Sequence, residues 1–318
     1  MRNHLLARCC QVLFVVFCGY SIGCSGPDEK ESEKDPRRPS FAPIVGIDFY
    51  EARRSFDNGL AYDSIGFVQE AEWHVKFTRE DAVQIYVPGS DSSFNFEITH
   101  DHDSFFHFAR ESWKVIDLHP DSMMLQRLSL DGLKVNKIRS NVYMRFYSKA
   151  YLEQLGTPLP ELRKPRKQDT AFVRDMVARA NRNLTKVDSS FSSKNYPKLI
   201  SKSPILEIKR RQRDSLELID QSAAYTYLYP EYDIVINKAY KDFYYTFSML
   251  VGPDGTLRLG KFFVMPEFEE SRRRVLSGII SVYLQNLLEV HPATTLGLPH
   301  NSVVYLRVKG RTEQPAEN

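Results

Sequence analysis

Hydrophobic and polar side chains alternate along much of the segment from residue 41 to residue 149. The runs Trp73–Phe77 and Phe94–Ile98 each place an apolar residue at every second position. This period of two puts the apolar side chains on one face of a β-strand. Further apolar runs follow at spacings of about 8–12 residues, separated by turn sequences such as His119–Ser122 and Asp131-Gly132. The segment therefore predicts an antiparallel meander or barrel.

The last part of the chain predicts a β-hairpin, a helix and a final strand. The runs Asp242–Val251 and Thr256–Val264 flank Gly252-Pro-Asp-Gly255, a tight-turn sequence. Pro266 then opens a helical pattern with acidic residues in its first turn and apolar residues at every third or fourth position. Ser302–Val308 is the last predicted strand. The predicted fold class is therefore α+β, with an N-terminal antiparallel β domain and a C-terminal β-hairpin–helix–strand domain.

The N-terminus carries the pattern of an export signal. Arg2 and Arg8 form a basic start, and Cys9–Cys18 is apolar apart from Gln11. This length suits the hydrophobic region of a signal peptide, about 7–15 residues, and is shorter than the roughly 20 residues that cross a membrane. The alternative interpretation is a short buried helix.

The apolar run is followed by Ser21-Ile-Gly-Cys24, which resembles the lipobox of bacterial lipoproteins, although Ser21 stands where Leu is usual. In that family the cysteine is acylated and becomes the first mature residue, so the resemblance implies a lipid anchor on Cys24. The stretch Ser25–Ser40 contains no hydrophobic residue and predicts a disordered tether. It is also similar to the acidic stretch behind the acylated cysteine in surface lipoproteins of the Bacteroidetes, and a simple spacer is the alternative.

The cysteines and the net charge exclude several classes of protein. All four cysteines lie in the first 24 residues, so the remainder of the chain holds no disulfide framework, thiol catalyst or cysteine metal site. The formal net charge of +3, from 43 basic and 40 acidic residues, is too small to steer the chain to nucleic acid. No phosphate-binding glycine loop, nucleophile elbow or zinc-protease helix is present in the sequence. We therefore expect no nucleic-acid partner and no cofactor.

From Tyr229 to Gly310 the order of elements resembles the C-terminal domain of TonB-type periplasmic proteins. The residues that carry the resemblance are Tyr229-Pro230, the Gly252–Gly255 turn, His291-Pro-Ala293 and Gly297-Leu-Pro299. In that family the last strand presents an exposed edge that pairs with a partner peptide. The resemblance therefore implies a peptide-pairing edge at alternate residues of the last strand, namely Ser302, Val304, Leu306 and Val308.

The stretch Ser112–Leu128 resembles a hairpin unit of small lipocalin-like lipoproteins, in which a Trp-led strand pairs across an Asp-containing turn. This resemblance implies an up-and-down barrel around one apolar cavity. The alternative is that the aromatic side chains fill the interior of the sheet.

These patterns predict where the chain divides. Pro158, Pro160 and Pro165, together with a basic run, mark a linker between the two domains. The predicted segments are a lipoprotein signal peptide (1–23), a disordered tether (24–40), an antiparallel β domain (41–150), a linker and helical segment (151–228), a TonB-C-terminal-like α+β domain (229–310) and a disordered tail (311–318).

One cluster of side chains has the composition of a metal site. His100 and His102 are two residues apart and would share one face of a strand, with Asp101, Asp103 and His107 close by. Neutral imidazole and carboxylate are suitable zinc ligands. The cluster also falls where a hairpin loop is expected, and we predict a solvated loop and no metal.

Two functional hypotheses remain open. The first is a lipid-anchored outer-membrane protein, facing the periplasm or the cell surface, that binds an apolar small ligand or an envelope protein or peptide. The second is an envelope hydrolase whose active-site residues are dispersed along the sequence. We favour the binding protein and assign no catalytic residue.

Lipidation of Cys24 can be tested directly. Two acyl chains anchor a protein stably where one gives marginal binding. Intact-mass analysis of the membrane-extracted protein should show cleavage before Cys24 and the added mass of a diacylglyceryl group. An unmodified Cys24 thiol on membrane-bound protein would contradict the prediction.

Overall fold

A computed structural model describes residues 38–89, 91–211 and 225–312. The predicted signal peptide, Cys24 and most of the predicted tether lie outside these ranges. Within them, none of the helices combines the length and the hydrophobicity needed to cross a bilayer.

Antiparallel strands make up the N-terminal half of the described chain. They form a nine-stranded sheet and a separate two-stranded hairpin. In chain order, this hairpin lies between the last two strands of the sheet. The strands are β1 (Asp48–Phe56), β2 (His74–Arg79), β3 (Ala82–Tyr86), β4 (Ser93–Glu97), β5 (Thr99–His100), β6 (Phe105–Phe108), β7 (Glu111–Leu118), β8 (Ser122–Leu128), β9 (Leu130–Asp131), β10 (Lys134–Val135) and β11 (Val142–Ser148).

The nine-stranded sheet curls into a nearly closed barrel. Its strand order is β4-β3-β2-β1-β11-β8-β7-β6-β5, so the chain meanders from neighbour to neighbour and β11 returns to pair with β1. The two edge strands, β4 and β5, are separated in the chain by Ile98 alone. The sheet must therefore bend until its edges meet at that corner. The predicted antiparallel meander or barrel is confirmed.

Side chains fill the interior of the barrel. Phe41 stacks on Phe77 with ring centroids 4.6 Å apart, and Ile44 of the short 3₁₀ helix Ala42–Ile44 is buried in the same core. The described core favours the filled interior over the predicted cavity, because its largest side chains are almost without solvent exposure: Phe49, Phe77, Phe106, Trp113 and Phe146.

The segment predicted as linker and helix also supplies strands. It contains α1 (Lys149–Leu155), α2 (Leu159–Leu162), α3 (Lys167–Arg182), β12 (Lys198–Ser201), β13 (Leu206–Arg210) and α4 (Tyr225–Leu228). The C-terminal core recruits the two strands, because Leu199 and Leu206 are buried within it. The linker prediction is therefore too long, since β13 belongs to the C-terminal sheet.

The C-terminal half is built on a five-stranded sheet covered on one face by helix. The sheet order is β13-β14-β20-β15-β16, and β14 and β20 are its parallel pair. The covering helix is α5 (Glu269–Ile279), continued by the π-helical turn Ile280–Leu284 and by α6 (Gln285–Leu287). The strands are β14 (Glu231–Asn237), β15 (Phe243–Val251), β16 (Leu257–Phe262), β17 (Leu288–His291), β18 (Ala293–Thr295), β19 (Leu298–His300) and β20 (Ser302–Arg311).

The last strand does not provide the predicted peptide-pairing edge. β20 pairs with β14 on one side and with β15 on the other, so both of its backbone edges are already hydrogen-bonded. The prediction of strand addition at Ser302, Val304, Leu306 and Val308 is therefore wrong. Three of these residues lie in the core beneath the helix. The edge strands of this sheet are β13 and β16.

A loop after β1 joins the barrel to the C-terminal half. The amide of Ser192 donates to the carbonyl oxygen of Ile65 at 2.9 Å. Gly66 has φ of +105°, and a Cβ there would lie 2.0 Å from the carbonyl oxygen of Ser192. Only glycine permits both that backbone conformation and that approach.

A buried ion pair fixes α3 to the barrel. The guanidinium of Arg53 donates to the two carboxylate oxygens of Asp169 at 2.8 and 3.0 Å. The backbone amides of Ala61 and Arg166 donate to the same carboxylate at 2.8 and 2.7 Å. Burial alone would raise the pKa of Asp169, but these hydrogen bonds outweigh it and hold the pKa below the usual range.

Asp169→Asn tests this ion pair. The substitution leaves the guanidinium of Arg53 buried without an opposite charge, and breaking a buried pair in this way costs about 3–5 kcal/mol. Urea denaturation should show that loss in the free energy of unfolding. The control is Asp175→Asn on the exposed side of α3, which should change stability by less than about 0.5 kcal/mol. Equal losses for the two variants would contradict the assignment.

Candidate functional site

The face of the C-terminal sheet opposite the helix carries a cleft of about 580 Å³. Side chains alternate across a strand, and Leu306 of β20 and Phe247 of β15 belong to the core beneath the helix. Their chain neighbours therefore point to the other face, where Tyr305, Arg307 and Thr246 line the cleft. The sheet register thus positions the candidate site.

Aromatic rings form the walls of this cleft. Tyr229 lies edge-to-face with Tyr305, with ring centroids 6.1 Å apart. Phe263, which follows the end of β16, borders the other side of the cleft and is 98% exposed. Exposed large apolar side chains beside a concave surface are typical of a site that contacts another molecule.

Paired charges lie beside the aromatic walls. The guanidinium of Arg307 lies 3.2 Å from the carboxylate of Glu231 and 3.8 Å from that of Asp233. Arg211 is 3.5 Å from the same Glu231 carboxylate. Lys261 is paired with Asp188. The cleft can therefore contact apolar groups through its walls and polar backbone or side-chain groups through Arg307 and Glu231.

Ser248 is held by backbone at the floor of the cleft. Its hydroxyl accepts a hydrogen bond from the Lys261 amide at 2.6 Å and donates to the Lys261 carbonyl oxygen at 3.1 Å. A nucleophilic serine needs a base within hydrogen-bond distance. Among the described residues that line this cleft there is neither histidine nor cysteine.

A second cleft, between the barrel and the C-terminal half, is more polar. It has a volume of about 580 Å³ and is lined by Arg54, Lys194, Arg210, Glu70 and Glu72 among others. Most of these charges have partners within the protein. Arg54 donates twice to Glu51 at 2.7 Å, and Lys194 is paired with Glu70. Both clefts hold paired charges, and the first one also borders the strongly exposed Phe263, so we take the first cleft as the candidate site.

Comparison with known proteins adds no family to this geometry. No model of a known protein family matches the chain. No curated protein gives a significant match. The lipoprotein, lipocalin-like and TonB-like resemblances therefore stay predictions, and the function must be argued from the cleft.

Of the three histidines considered as metal ligands, His102 and His107 both face the carboxylate of Asp101, the latter at 3.7 Å, and His100 does not. His100 Nε2 lies 3.0 Å from the carbonyl oxygen of Asp103, and His107 Nδ1 lies 2.9 Å from the hydroxyl of Ser112. His102 Nδ1 lies 3.1 Å from the carboxylate of Asp101. Across residues 38–89, 91–211 and 225–312, no group of three or more His, Cys, Asp or Glu side chains is arranged to hold a metal ion.

The sequence interpretation missed the aromatic walls. Tyr229 entered it only as part of a family resemblance, and Phe263 only as a residue of the predicted strand Thr256–Val264. A usable signal was present in the pair Phe262-Phe263, since two consecutive residues of a strand cannot both face one core. One of the two rings had to face away from the helix.

His300 is a buried histidine outside the cleft. It has no solvent exposure, and its Nε2 lies 2.9 Å from the hydroxyl of Thr295. Burial penalises the charged imidazolium and lowers the pKa of His300 to about 4. The side chain is neutral at physiological pH and packs edge-to-face against Phe191.

His300 should make the protein less stable in mild acid. In the unfolded chain its pKa is about 6.5, so between about pH 6.5 and pH 4 only the unfolded state takes up the proton. Stability is full above that window and falls by about 2–3 kcal/mol as the pH drops to about 4. Denaturation at each pH should show a smaller fall for His300→Gln. Identical pH profiles would contradict the buried neutral imidazole.

Proposed function

We propose that this protein is a lipid-anchored binding protein of the cell envelope, and that it holds an extended segment of a partner protein in the aromatic cleft. The observation that carries the proposal is the cleft itself, walled by Tyr229, Tyr305 and Phe263 around the Arg307–Glu231 ion pair. Aromatic side chains in a concave surface are the common anchors of protein interfaces.

The position of the cleft supports an extended ligand. Phe262 is the last residue of β16, and β16 pairs within the described sheet with β15 alone. An extended peptide that follows an edge strand places alternate side chains over the sheet face. The side chain of Gln285 accepts a hydrogen bond from the Leu257 amide at 2.8 Å, so the beginning of the edge is occupied. The part next to the cleft is the better docking position.

The order of elements adds support. The hairpin β15–β16, the helix α5 and the strand β20 follow one another in the order of a TonB-type C-terminal domain. We propose a related hairpin–helix–strand domain whose partner edge lies at β16, since β20 is central. The tight turn between β15 and β16 agrees with the proposed hairpin. Its Gly252 amide donates to the Thr256 carbonyl oxygen at 2.8 Å, and Gly255 has φ of +79°.

The proposed location in the cell envelope rests on the N-terminal sequence pattern. A basic start, an apolar run and Cys24 favour export and acylation, and the polar stretch behind Cys24 favours a tether to the outer membrane. A binding protein held at the periplasmic or outer face of that membrane would meet envelope proteins at high local concentration.

Site-specific crosslinking tests the cleft. A photoreactive benzoylphenylalanine at position 263 should give a discrete adduct in intact cells, because this side chain is 98% exposed beside the cleft. The matched control is position 282, where Val282 is 60% exposed on the helix-covered side of the sheet.

Arg307→Ala should weaken the adduct at position 263 without changing the melting temperature by more than a few degrees, since the side chain is half-buried and borders the cleft. The same adducts at positions 263 and 282, or none at position 263, would contradict the proposed site.

A further inference from the structure

The hairpin between β8 and β11 exposes apolar side chains. This apolar hairpin, residues 129–140, contains β9 and β10 joined by the two-residue turn Gly132-Leu133. Leu133 is fully exposed and Ile138 is 85% exposed. Leu130 and Val135 are about two-fifths exposed on the same hairpin.

The backbone of the apolar hairpin is held by hydrogen bonds. The Asn136 amide donates to the Ser129 carbonyl oxygen at 2.8 Å, and the Asn136 side chain accepts from the amides of Ile138 and Arg139 at 3.1 and 3.0 Å. At the base, the hydroxyl of buried Ser140 accepts from the Ser129 amide at 2.9 Å. Polar groups are thus used inside the loop, while the side chains of Leu133 and Ile138 are exposed.

Positive charge surrounds the apolar tip. Lys134, Lys137 and Arg139 are exposed on the hairpin. The one carboxylate in this segment, Asp131, accepts a hydrogen bond from the Asn136 side chain at 2.7 Å and lies 4.0 Å from Arg139. The two lysines therefore leave the hairpin cationic beside its exposed leucine and isoleucine.

We propose that the apolar hairpin inserts into the surface of an anionic lipid bilayer. Leu133 and Ile138 would enter the boundary between headgroups and acyl chains, and Lys134 and Lys137 would contact anionic headgroups. A bilayer needs no complementary pocket, which suits side chains that project singly from a convex tip. The paired charge of Asp131 reduces the repulsion that a free carboxylate would meet at that surface.

The inference stands apart from the aromatic cleft and from acylation of Cys24. It is compatible with both. The hairpin follows the end of the barrel where Phe56 pairs with Val142, while the 3₁₀ helix Ala42–Ile44 precedes Asp48 at the other end of β1. The stretch Ser25–Ser40 could extend at most about 50–55 Å, which exceeds the roughly 30 Å length of a nine-residue strand. An anchored chain could therefore place the hairpin on the same membrane.

Tryptophan fluorescence measures the insertion. The full chain carrying Cys24→Ser, which cannot be acylated, is mixed with vesicles of phosphatidylcholine alone or of phosphatidylcholine and phosphatidylglycerol in equal parts. Leu133→Trp in this background should give a blue-shifted emission that nitroxide-labelled acyl chains quench on the mixed vesicles. Phe94→Trp is the matched control, because Phe94 is an apolar residue 58% exposed on β4. The emission of the tryptophan added at position 94 should stay unquenched. The emission of the Cys24→Ser chain without an added tryptophan should stay unquenched as well.

Partitioning onto the vesicles measures the contribution of each group. The pair Leu133→Ser and Ile138→Ser should lower binding to the mixed vesicles by about tenfold or more relative to the same background. The pair Lys134→Gln and Lys137→Gln should lower it on the mixed vesicles only. An unchanged thermal melt should accompany both, since all four side chains are exposed.

Two results would overturn the proposal. Absence of quenching at position 133 would show that the tip does not enter the bilayer. Equal partitioning of the unsubstituted and serine-substituted chains would show that other parts of the protein hold it on the vesicle, whatever the effect of the lysines. A protein partner would then be the occupant to test.

Discussion

The carboxylate of Asp169 is the contact on which the arrangement of the two halves depends. It joins Arg53 of β1, the amide of Ala61 and the first turn of α3, so the barrel and the helix share one buried charge. The other end of α3 reaches the C-terminal half, where Asn181 donates to the Pro299 carbonyl oxygen and accepts from the Asn301 amide. β20 begins immediately after that contact. The helix α3 therefore connects the barrel to the central strand of the sheet.

The central position of β20 also determines which surfaces of the sheet are open to the proposed partner. A strand with hydrogen-bonded neighbours on both sides offers only its side chains, and on the open face these include Tyr305 and Arg307. The sheet edge next to the cleft is that of β16, beside Phe263. The same parallel pairing of β14 with β20 that removes the expected edge therefore creates the floor of the aromatic cleft.

Local patterns in the sequence predicted local structure well and long-range pairing poorly. Alternation at Trp73–Phe77 was sufficient to predict antiparallel strands, because a period of two is a property of one strand. β13 was missed because its basic end resembles a solvated surface, and its place depends on β14, which follows it by about twenty residues. The Arg53–Asp169 pair joins residues 116 apart, and no spacing rule connects them. The cleft was unpredicted for the same reason, since its walls come from three separated segments.

The exposed apolar side chains give the two proposals a common physical basis. An exposed leucine or phenylalanine forgoes roughly 1.5–3 kcal/mol of burial, and the barrel shows that this chain can bury such residues efficiently. In the described chain, Leu133 and Ile138 are exposed on a hydrogen-bonded loop at one end of the barrel, while Phe263 is exposed at the end of β16. The first group is convex and cationic, which suits a lipid surface, and the second borders a concave, ion-paired cleft, which suits a polypeptide. Because the two surfaces belong to different halves, the proposed membrane contact at the hairpin would leave the cleft free for the proposed partner.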